Sequence, residues 1–583
     1  MMSRNDEVAS LFEEFADLLD AKDVSYKPNT YRRAAENIRE YPHPIEELAA
    51  DGADAVGEIQ GVGDAISAKI IEYFETGEIE ELEALRAELP VEMATLTSVE
   101  GVGPKTVGKL YDALGITTLD ELERAAEEEQ IREVKGFGPK TEANIRENIP
   151  FAREAQKRER LGNARPLADD VLAYLREADT VQAAEVAGSI RRWRDTIGDV
   201  DVLVAAESGD SVVEAFTDWP AANTVIEAGP SKASVRSSGI RVDLRVVVPE
   251  EFGAALQYFT GSKDHNVALR NIAIEKGLKM NEYGVFDVSD VEDPETDQRA
   301  GEKIAGETEA SMYEALGLPF IPPELRENTG EVEAAQAGTL PEVVEMGDVR
   351  GDLHTHSDWS DGRYSISEMV AAAEERGYDY YAVTDHATGP GMVGGVGLDD
   401  DELRDQMDAV ADIAAETDLE LLHGVEANID AEGGISVGDD VLADLDVVVA
   451  SPHAALGQDR ETATDRLVAA VEHPAVDILG HPTGRLINER PGLELDIERI
   501  AETAAGNGTA LEINADPARL DLHGELVHVA REAGATIVTN TDAHAPGALD
   551  YIRYGVHTAR RGWCEADDLL NAWRVEDLRS FLH

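Results

Sequence analysis

The chain has 583 residues, with 51 basic and 119 acidic side chains and a formal net charge of −68. A hydrophobic content of 43% supports packed cores and excludes a disordered chain, and at ~100–200 residues per domain the length implies roughly three to five domains or subdomains. The one cysteine, Cys564, excludes a disulfide scaffold and a thiolate metal cluster. The first residues, MMSRNDEVASLFEEF, lack a basic and apolar leader pattern, and no apolar run approaches the ~18 residues of a membrane span. The expectation is a soluble cytoplasmic protein with no membrane partner. Such acidity argues against nucleic acid as partner, but the 13 lysines and 38 arginines, with no lysine after Lys303, suit a cytosol rich in salt. At ~1 M salt the Debye length is ~3 Å, so net charge says little about partners and local motifs decide.

Over residues 1–150, short helices alternate with glycine turns. IQGVGDAISAKI (59–70), VEGVGPKTVGKL (99–110) and VKGFGPKTEANI (134–145) repeat one pattern. An apolar residue precedes Gly-x-Gly, and a helix start follows. The glycine pairs are Gly61 and Gly63, Gly101 and Gly103, Gly136 and Gly138. This is the helix-hairpin-helix pattern. Its glycines let the backbone approach a phosphate, and the helix N-terminus offers free N–H groups. A plain helix–helix turn is the bland alternative. Three copies, with Lys105, Lys109, Lys135 and Lys140 in a lysine-poor chain, favour phosphate binding.

Residues 151–252 turn strand-like. In DVDVLVA (199–205), Asp199 and Asp201 stand two apart and project from one strand face. Asp243 interrupts the apolar run RVDLRVVV, a costly placement unless it meets a cation. Three hard oxygen donors suit Mg²⁺. Gly188 and Ser189, followed by Arg191 and Arg192, offer amides, a hydroxyl and guanidinium groups to a triphosphate. Residues 253–320 are mixed and open with YFTGSKDHNVALR (258–270). The acidic, proline-punctuated stretch 321–348 is expected to be a linker carrying short helices.

Residues 349–583 alternate strands with amphipathic helices. Strand candidates end at DLHTH, VTDH, HGVE, ASPH, LGHP, LEIN and TDAH, and seven βα units suggest a barrel or doubly wound sheet. Twelve of the 14 histidines lie after residue 350. His354, His356, His386, His453, His481 and His544 fall at or just past strand C-termini. So do Glu426 and Asp542, and Asp361 follows in the first loop. These nine groups could hold a multinuclear site of Mn²⁺ or Zn²⁺. His423, His473, His523, His528, His557 and His583 lack this placement and are expected to be structural or surface residues.

At the GS…DxD…D set the chain resembles the family X DNA polymerases, the polymerase beta relatives, and YFTGS…HN…R narrows the resemblance to DNA. The resemblance implies an amino-terminal helical domain over 1–90, fingers over 91–150, a nucleotidyltransferase palm over 151–252 and a thumb over 253–320. It implies that Asp199, Asp201 and Asp243 hold Mg²⁺ and that Arg192 holds the triphosphate of an incoming deoxynucleotide, with Arg241 beside the carboxylates. Tyr258 and Phe259 would form the wall under the sugar that discriminates against ribonucleotides, Gly261 would also line the nucleotide site, Asn266 would meet the base and Arg270 the template. Lys27 and Lys69 would contact a 5′-phosphate of gapped or primed DNA. Ile197 replaces a serine of the animal enzyme. Ala65, Glu78 and Glu81 replace animal lysines, which counts against Lys69 as a lyase nucleophile, since that chemistry needs a depressed pKa.

The C-terminal motifs resemble the polymerase and histidinol phosphatase (PHP) domain, which implies a distorted seven-stranded (β/α) barrel over 349–583 with up to three metal ions. All nine ligand positions are filled, which argues for a working hydrolase. In NADPARLDL (514–522), Arg519 would bind phosphate. The two-part plan resembles bacterial-type enzymes and implies a monomer that fills gaps in DNA repair and trims 3′ ends. Two rivals stand beside it: a non-templated nucleotidyltransferase fused to a small-molecule phosphoesterase, and a DNA-binding scaffold with inactive sites.

Overall fold

A computed structural model describes residues 4–24, 27–39, 41, 45–57, 59, 61–99, 101–155, 158–294, 297–391 and 396–582. The N-terminal helices share one core, continuous from Val8 to Ala152. The three repeats fold alike. The first glycine of each pair has a left-handed backbone, with φ +77 at Gly61, +85 at Gly101 and +98 at Gly136. The second glycine carries no such constraint: Gly63 and Gly103 are extended N-caps. In each repeat an apolar N–H closes the turn onto the residue three back, as Val102 does onto Val99 at 2.9 Å.

The palm sheet contains β1 (Ala183–Val186), β2 (Val200–Ala205), β3 (Thr224–Ala228), β4 (Lys232–Ser237) and β5 (Ile240–Val247), in the order β1-β2-β5-β4-β3. The β2–β5 pair is parallel and the others antiparallel. Beyond it lies a small antiparallel sheet of β6 (Leu278–Asn281), β7 (Gly284–Asp287) and β8 (Glu302–Ala305). The 321–348 segment, expected as a linker, is folded instead. Leu325, Val332, Ala335 and Val343 enter the core that begins at Ala254. Three of its charges, Glu324, Arg326 and Glu331, are buried because other segments supply their partners. Arg326, fully buried, pairs with Glu309 at 2.5 Å, and Glu331 pairs with His265 at 2.6 Å.

The barrel strands are β9 (Gly351–Asp352), β10 (Tyr380–Val383), β11 (Glu420–Asn428), β12 (Val447–Ser451), β13 (Ile478–Leu479), β14 (Ala510–Asn514) and β15 (Ile537–Asn540). They run in sequence order with all neighbours parallel. A bridge between Thr355 and Ala543 joins the two ends past the last strand residues. Palm and barrel pack directly. Ile487, Leu520 and Tyr554 of the barrel belong to the palm's core, and Trp193 stacks on His557 at 3.6 Å.

Candidate active sites

Parallel pairing of β2 and β5 sets Asp201 directly opposite Asp243. Asp199 stands just before β2, and ligand oxygens of the three lie within 4.8 Å of one another. Burial raises the Asp201 carboxyl to about 7, helped by Asp199 and Asp243. Asp199 is raised by burial and then by Asp243. Three mutually repelling carboxylates, two of them with raised affinity for protons at Asp199 and Asp201, are a site that a divalent cation relieves. Arg241 donates to Asp243 at 2.8 Å, and the Ser234 hydroxyl also donates to it. Gly188 sits against this cluster with φ +62, and a Cβ there would lie 2.3 Å from Asp201 Oδ2. The helix 188–191 then carries Ser189 and Arg191. Arg191 makes a bidentate pair with Glu309 at 2.7 and 2.8 Å.

Arg192 donates to Glu327 at 3.0 Å and to the Thr260 carbonyl. Gly261 approaches it closely: a Cβ would be 3.1 Å from its Nη1. Helix 252–260 carries Tyr258 and Phe259 in its last turn, and their rings meet edge to face at 5.2 Å. Asn266, nearly buried, accepts from Gln257 and donates to the Tyr258 carbonyl, each at 2.8 Å. Arg270 lies one turn on and is exposed. The palm helix and the YFTG corner therefore lie side by side, with Asn266 bonded beneath the corner.

Lys27, Lys105 and Lys140 are exposed on the hairpin region. Lys69 is not a free cation. Burial pulls its ammonium down, but Glu81 at 2.8 Å and Tyr31 more than offset this, and its pKa stands above the ordinary lysine value. This is the reverse of what an amine nucleophile requires.

The second cluster lies where the barrel strands end. His356, Asp361, His386 and His544 offer one group of ligand atoms, His354, His356 and Asp542 another, and His386, Glu426 and His453 a third. His481 joins them through Nε2, 2.9 Å from Glu426. Glu426 also lies 2.6 Å from His386 and 3.2 Å from His453. His356 faces Asp542 at 3.0 Å, and His544 faces Asp361 at 3.1 Å. Burial opposes charge on His386, but Glu426 and Asp361 push it up to about 10; burial and the adjacent imidazoles hold His356 down to about 4. Both ring nitrogens of His356, Nε2 of His354, Nδ1 of His386 and Nδ1 of His481 are buried without a hydrogen bond, as is Glu426 Oε2. Such atoms are costly unless something coordinates them. The mixed nitrogen and oxygen set, with several shared corners, fits a centre of borderline metals. Asp542 is held at φ +54, a strained backbone of the kind found at functional sites.

The sequence motifs did not reveal the supports of this centre. Glu512, fully buried, accepts from His354 Nδ1 at 2.7 Å and from the His481 amide at 2.7 Å. Asn428 orients His453 through Nδ1 at 2.7 Å. Asp385 accepts from the Ser357 amide, the Ser360 hydroxyl and Gln406, tying down the loop after His356. These fix ring orientation and tautomer. Arg519 stands 3.9 Å from Asp542, at the edge of the cluster. His423 is a structural residue bonded to Gln406, His557 stacks on Trp193, and His583 lies outside the described residues.

Comparison with known proteins matches these regions one by one. Residues 3–79 match a helix-hairpin-helix domain, 93–149 a SAM-like helix-hairpin-helix tandem, 255–327 the DNA polymerase beta thumb and 352–516 the PHP domain. The DNA polymerase/3′-5′ exonuclease PolX of Bacillus subtilis (strain 168) is 37% identical over 581 residues, covering 99% of both chains. The chain belongs to the PolX family. Part of the chain also resembles smaller proteins. A probable phosphatase of Shewanella sp. (strain MR-4) is 32% identical over 34% of this chain and 77% of its own length. One from Caldanaerobacter subterraneus is 33% identical over 33% of this chain and 75% of its own length. The PolX likeness thus spans both centres, whereas the phosphatase matches cover about a third of the chain.

Proposed function

We propose that this PolX-family chain is a DNA-directed DNA polymerase that fills short gaps and carries a separate 3′→5′ exonuclease in its PHP barrel. The observation that carries the first half is the Asp201–Asp243 register beside the Gly188 turn, with the Tyr258–Phe259 corner close to Arg192 through Gly261. The nine-residue centre carries the second half. Mg²⁺ at the aspartates, and Mn²⁺ or Zn²⁺ at the histidines, would neutralise phosphate charge and lower the pKa of an attacking water. The chain's own groups do the rest. Arg192 would exchange Glu327 for the triphosphate, and Asp243, aligned by Arg241 and Ser234, would accept the primer hydroxyl's proton. Tyr258 and Phe259 would crowd a 2′-hydroxyl. In the barrel, Glu512 holds His354 in one tautomer, and Arg519 would hold the scissile phosphate. The acidic surface favours activity at high salt, where the hairpin amides grip DNA better than net charge does.

The test is extension and degradation of a 3′-labelled primer on gapped DNA, at high KCl, with Mg²⁺ or Mn²⁺. Asp201→Ala should abolish extension and keep degradation. His354→Ala with His356→Ala should do the reverse. If either variant loses both or neither, the assignment of the two activities fails. The barrel's likeness to probable phosphatases favours a second reading, a template-independent transferase with a small-molecule phosphoesterase. Extension without a template strand would establish it.

A further inference from the structure

Asn266 donates from Nδ2 to the Tyr258 carbonyl at 2.8 Å. A carbonyl only accepts, so this bond settles which end of the amide is nitrogen. Oδ1 accepts from Gln257 Nε2, also at 2.8 Å. Gln257 is fully buried in a helix whose other buried residues are mostly apolar, and it also hydrogen-bonds the Tyr313 hydroxyl. That hydroxyl lies 3.0 Å from His265 Nε2, and His265 Nδ1 lies 2.6 Å from Glu331 Oε1. His265, Tyr313 and Glu331 are all fully buried. The carboxylate of Glu331 further accepts from the amides of Asn328 at 3.0 Å and Thr329 at 2.8 Å. Burial raises Glu331, but the hydrogen bonds from His265 and the Thr329 amide more than offset this and keep it ionised, while burial holds His265 below its ordinary value and neutral.

The donors then follow in one direction. A carboxylate only accepts, so His265 Nδ1 carries the proton and Nε2 is the acceptor. The Tyr313 hydroxyl must donate to Nε2, which leaves its oxygen to accept from Gln257. The Gln257 amide nitrogen therefore serves two acceptors, Tyr313 and Asn266. Each member satisfies the next, from Glu331 in the segment after the thumb to Asn266 beneath the YFTG corner. Buried polar groups of this kind are costly unless fully bonded, and a fully bonded chain admits one arrangement. The arrangement leaves Asn266 one amide N–H for a ligand. We propose that Glu331, His265, Tyr313 and Gln257 are positioning residues, whose hydrogen bonds lock the Asn266 amide so that it presents an N–H donor to the minor-groove edge of the incoming base. That edge offers an acceptor, N3 of adenine or O2 of thymine, in either orientation of the pair, so one locked donor serves both. The inference rests on the reading that Asn266 meets the base.

Single-turnover filling of a gap opposite thymine by the full chain tests this, with dATP compared against 3-deaza-dATP, which pairs alike but lacks the N3 acceptor. The wild-type chain should favour dATP about five- to tenfold, the size of one hydrogen bond, and Asn266→Ala should bring the ratio close to one. Tyr313→Phe removes a single hydroxyl from the middle of the chain of bonds, and Gln257→Met removes both of its donors at similar volume. Each should lower the ratio to about twofold or less, although Asn266 itself is intact. Leu325→Ala opens the same apolar core without touching these bonds and should keep the wild-type ratio. A wild-type ratio of one would take Asn266 away from the base and overturn the proposal together with that reading. A wild-type preference that survives in both Tyr313→Phe and Gln257→Met would leave Asn266 as the base contact and overturn the positioning role. An equal fall in Leu325→Ala would also overturn it, because the ratio would then follow stability alone.

Discussion

Gly188→Ala should silence the polymerase centre without touching the barrel. The added Cβ would stand 2.3 Å from Asp201 Oδ2 and 3.3 Å from its Cγ. Ordinary contacts begin near 3.5 Å, so the carboxylate must retreat by about 1 Å. A displacement of that size in a catalytic constellation costs about 10²-fold. The substitution also forces an L-residue to φ +62, for about 1–2 kcal/mol of backbone strain. Gly239→Ala separates the two effects. Gly239 lies in the same palm at φ +82 with nothing within 4 Å of its Cβ position. It should pay the strain and keep its activity. The assay is single-turnover extension on gapped DNA at saturating deoxynucleotide, with degradation of the same primer in parallel. Extension by Gly188→Ala within about threefold of wild type, a loss under 1 kcal/mol, would refute the claim that this glycine holds Asp201 in place.

Two further outcomes follow from the same coordinates. Arg326 and Arg191 outweigh the burial penalty on Glu309 and hold its carboxyl at about 2; its stabilisation is complete above the unfolded value near 4.5 and is lost as pH falls toward 2. That shift corresponds to about 3 kcal/mol, so acid titration of Glu309→Gln, followed by circular dichroism, should show a flatter loss of stability over that window than wild type; an unchanged slope would contradict the triad. Gly103→Val should leave the melting temperature close to wild type, because nothing lies within 4 Å of its Cβ position and its φ is ordinary, yet lower gapped-DNA affinity at least about tenfold by blocking phosphate approach. Equal affinity by fluorescence anisotropy would remove the hairpin from the DNA path.

What was legible in the sequence was the part where chemistry violates patterning. Asp243 interrupts an apolar strand, and imidazoles stand at five of the seven barrel strand ends, so both clusters announced themselves. Glu512 breaks the same rule inside ALEIN, where every residue is buried. It went unread because its partners, His354 and His481, come from other strands. The 321–348 stretch looked like a linker because acid and proline usually mean solvent. Its Arg326, Glu324 and Glu331 are instead paired with Glu309, Arg560 and His265, contributed by segments that local pattern cannot connect. Lys69 shows the reverse case: the acidic neighbour that spoils it as a nucleophile, Glu81, was visible in the sequence.

The seam between palm and barrel changes how independent the two centres can be. Their chemistry is separable, because they share no ligand. Their stability is not. Tyr554 sits on a barrel helix, Ile552–Arg561, yet is buried in the palm's core and meets Trp193 edge to face at 5.9 Å. From the same helix, Arg561 donates to the backbone carbonyl of Arg192 at 3.0 Å, just past the Gly188 turn that packs on Asp201. Tyr554→Ala would therefore open a cavity across the seam, at about 3–5 kcal/mol for a buried aromatic. The expected result is a parallel fall in the temperatures at which extension and degradation are lost, although the substitution lies in the barrel alone. The measurement is residual activity of both kinds after timed heating of one preparation. Inactivation of degradation alone would show that the palm holds its cleft without the barrel, and that the apolar seam contributes nothing to polymerase stability.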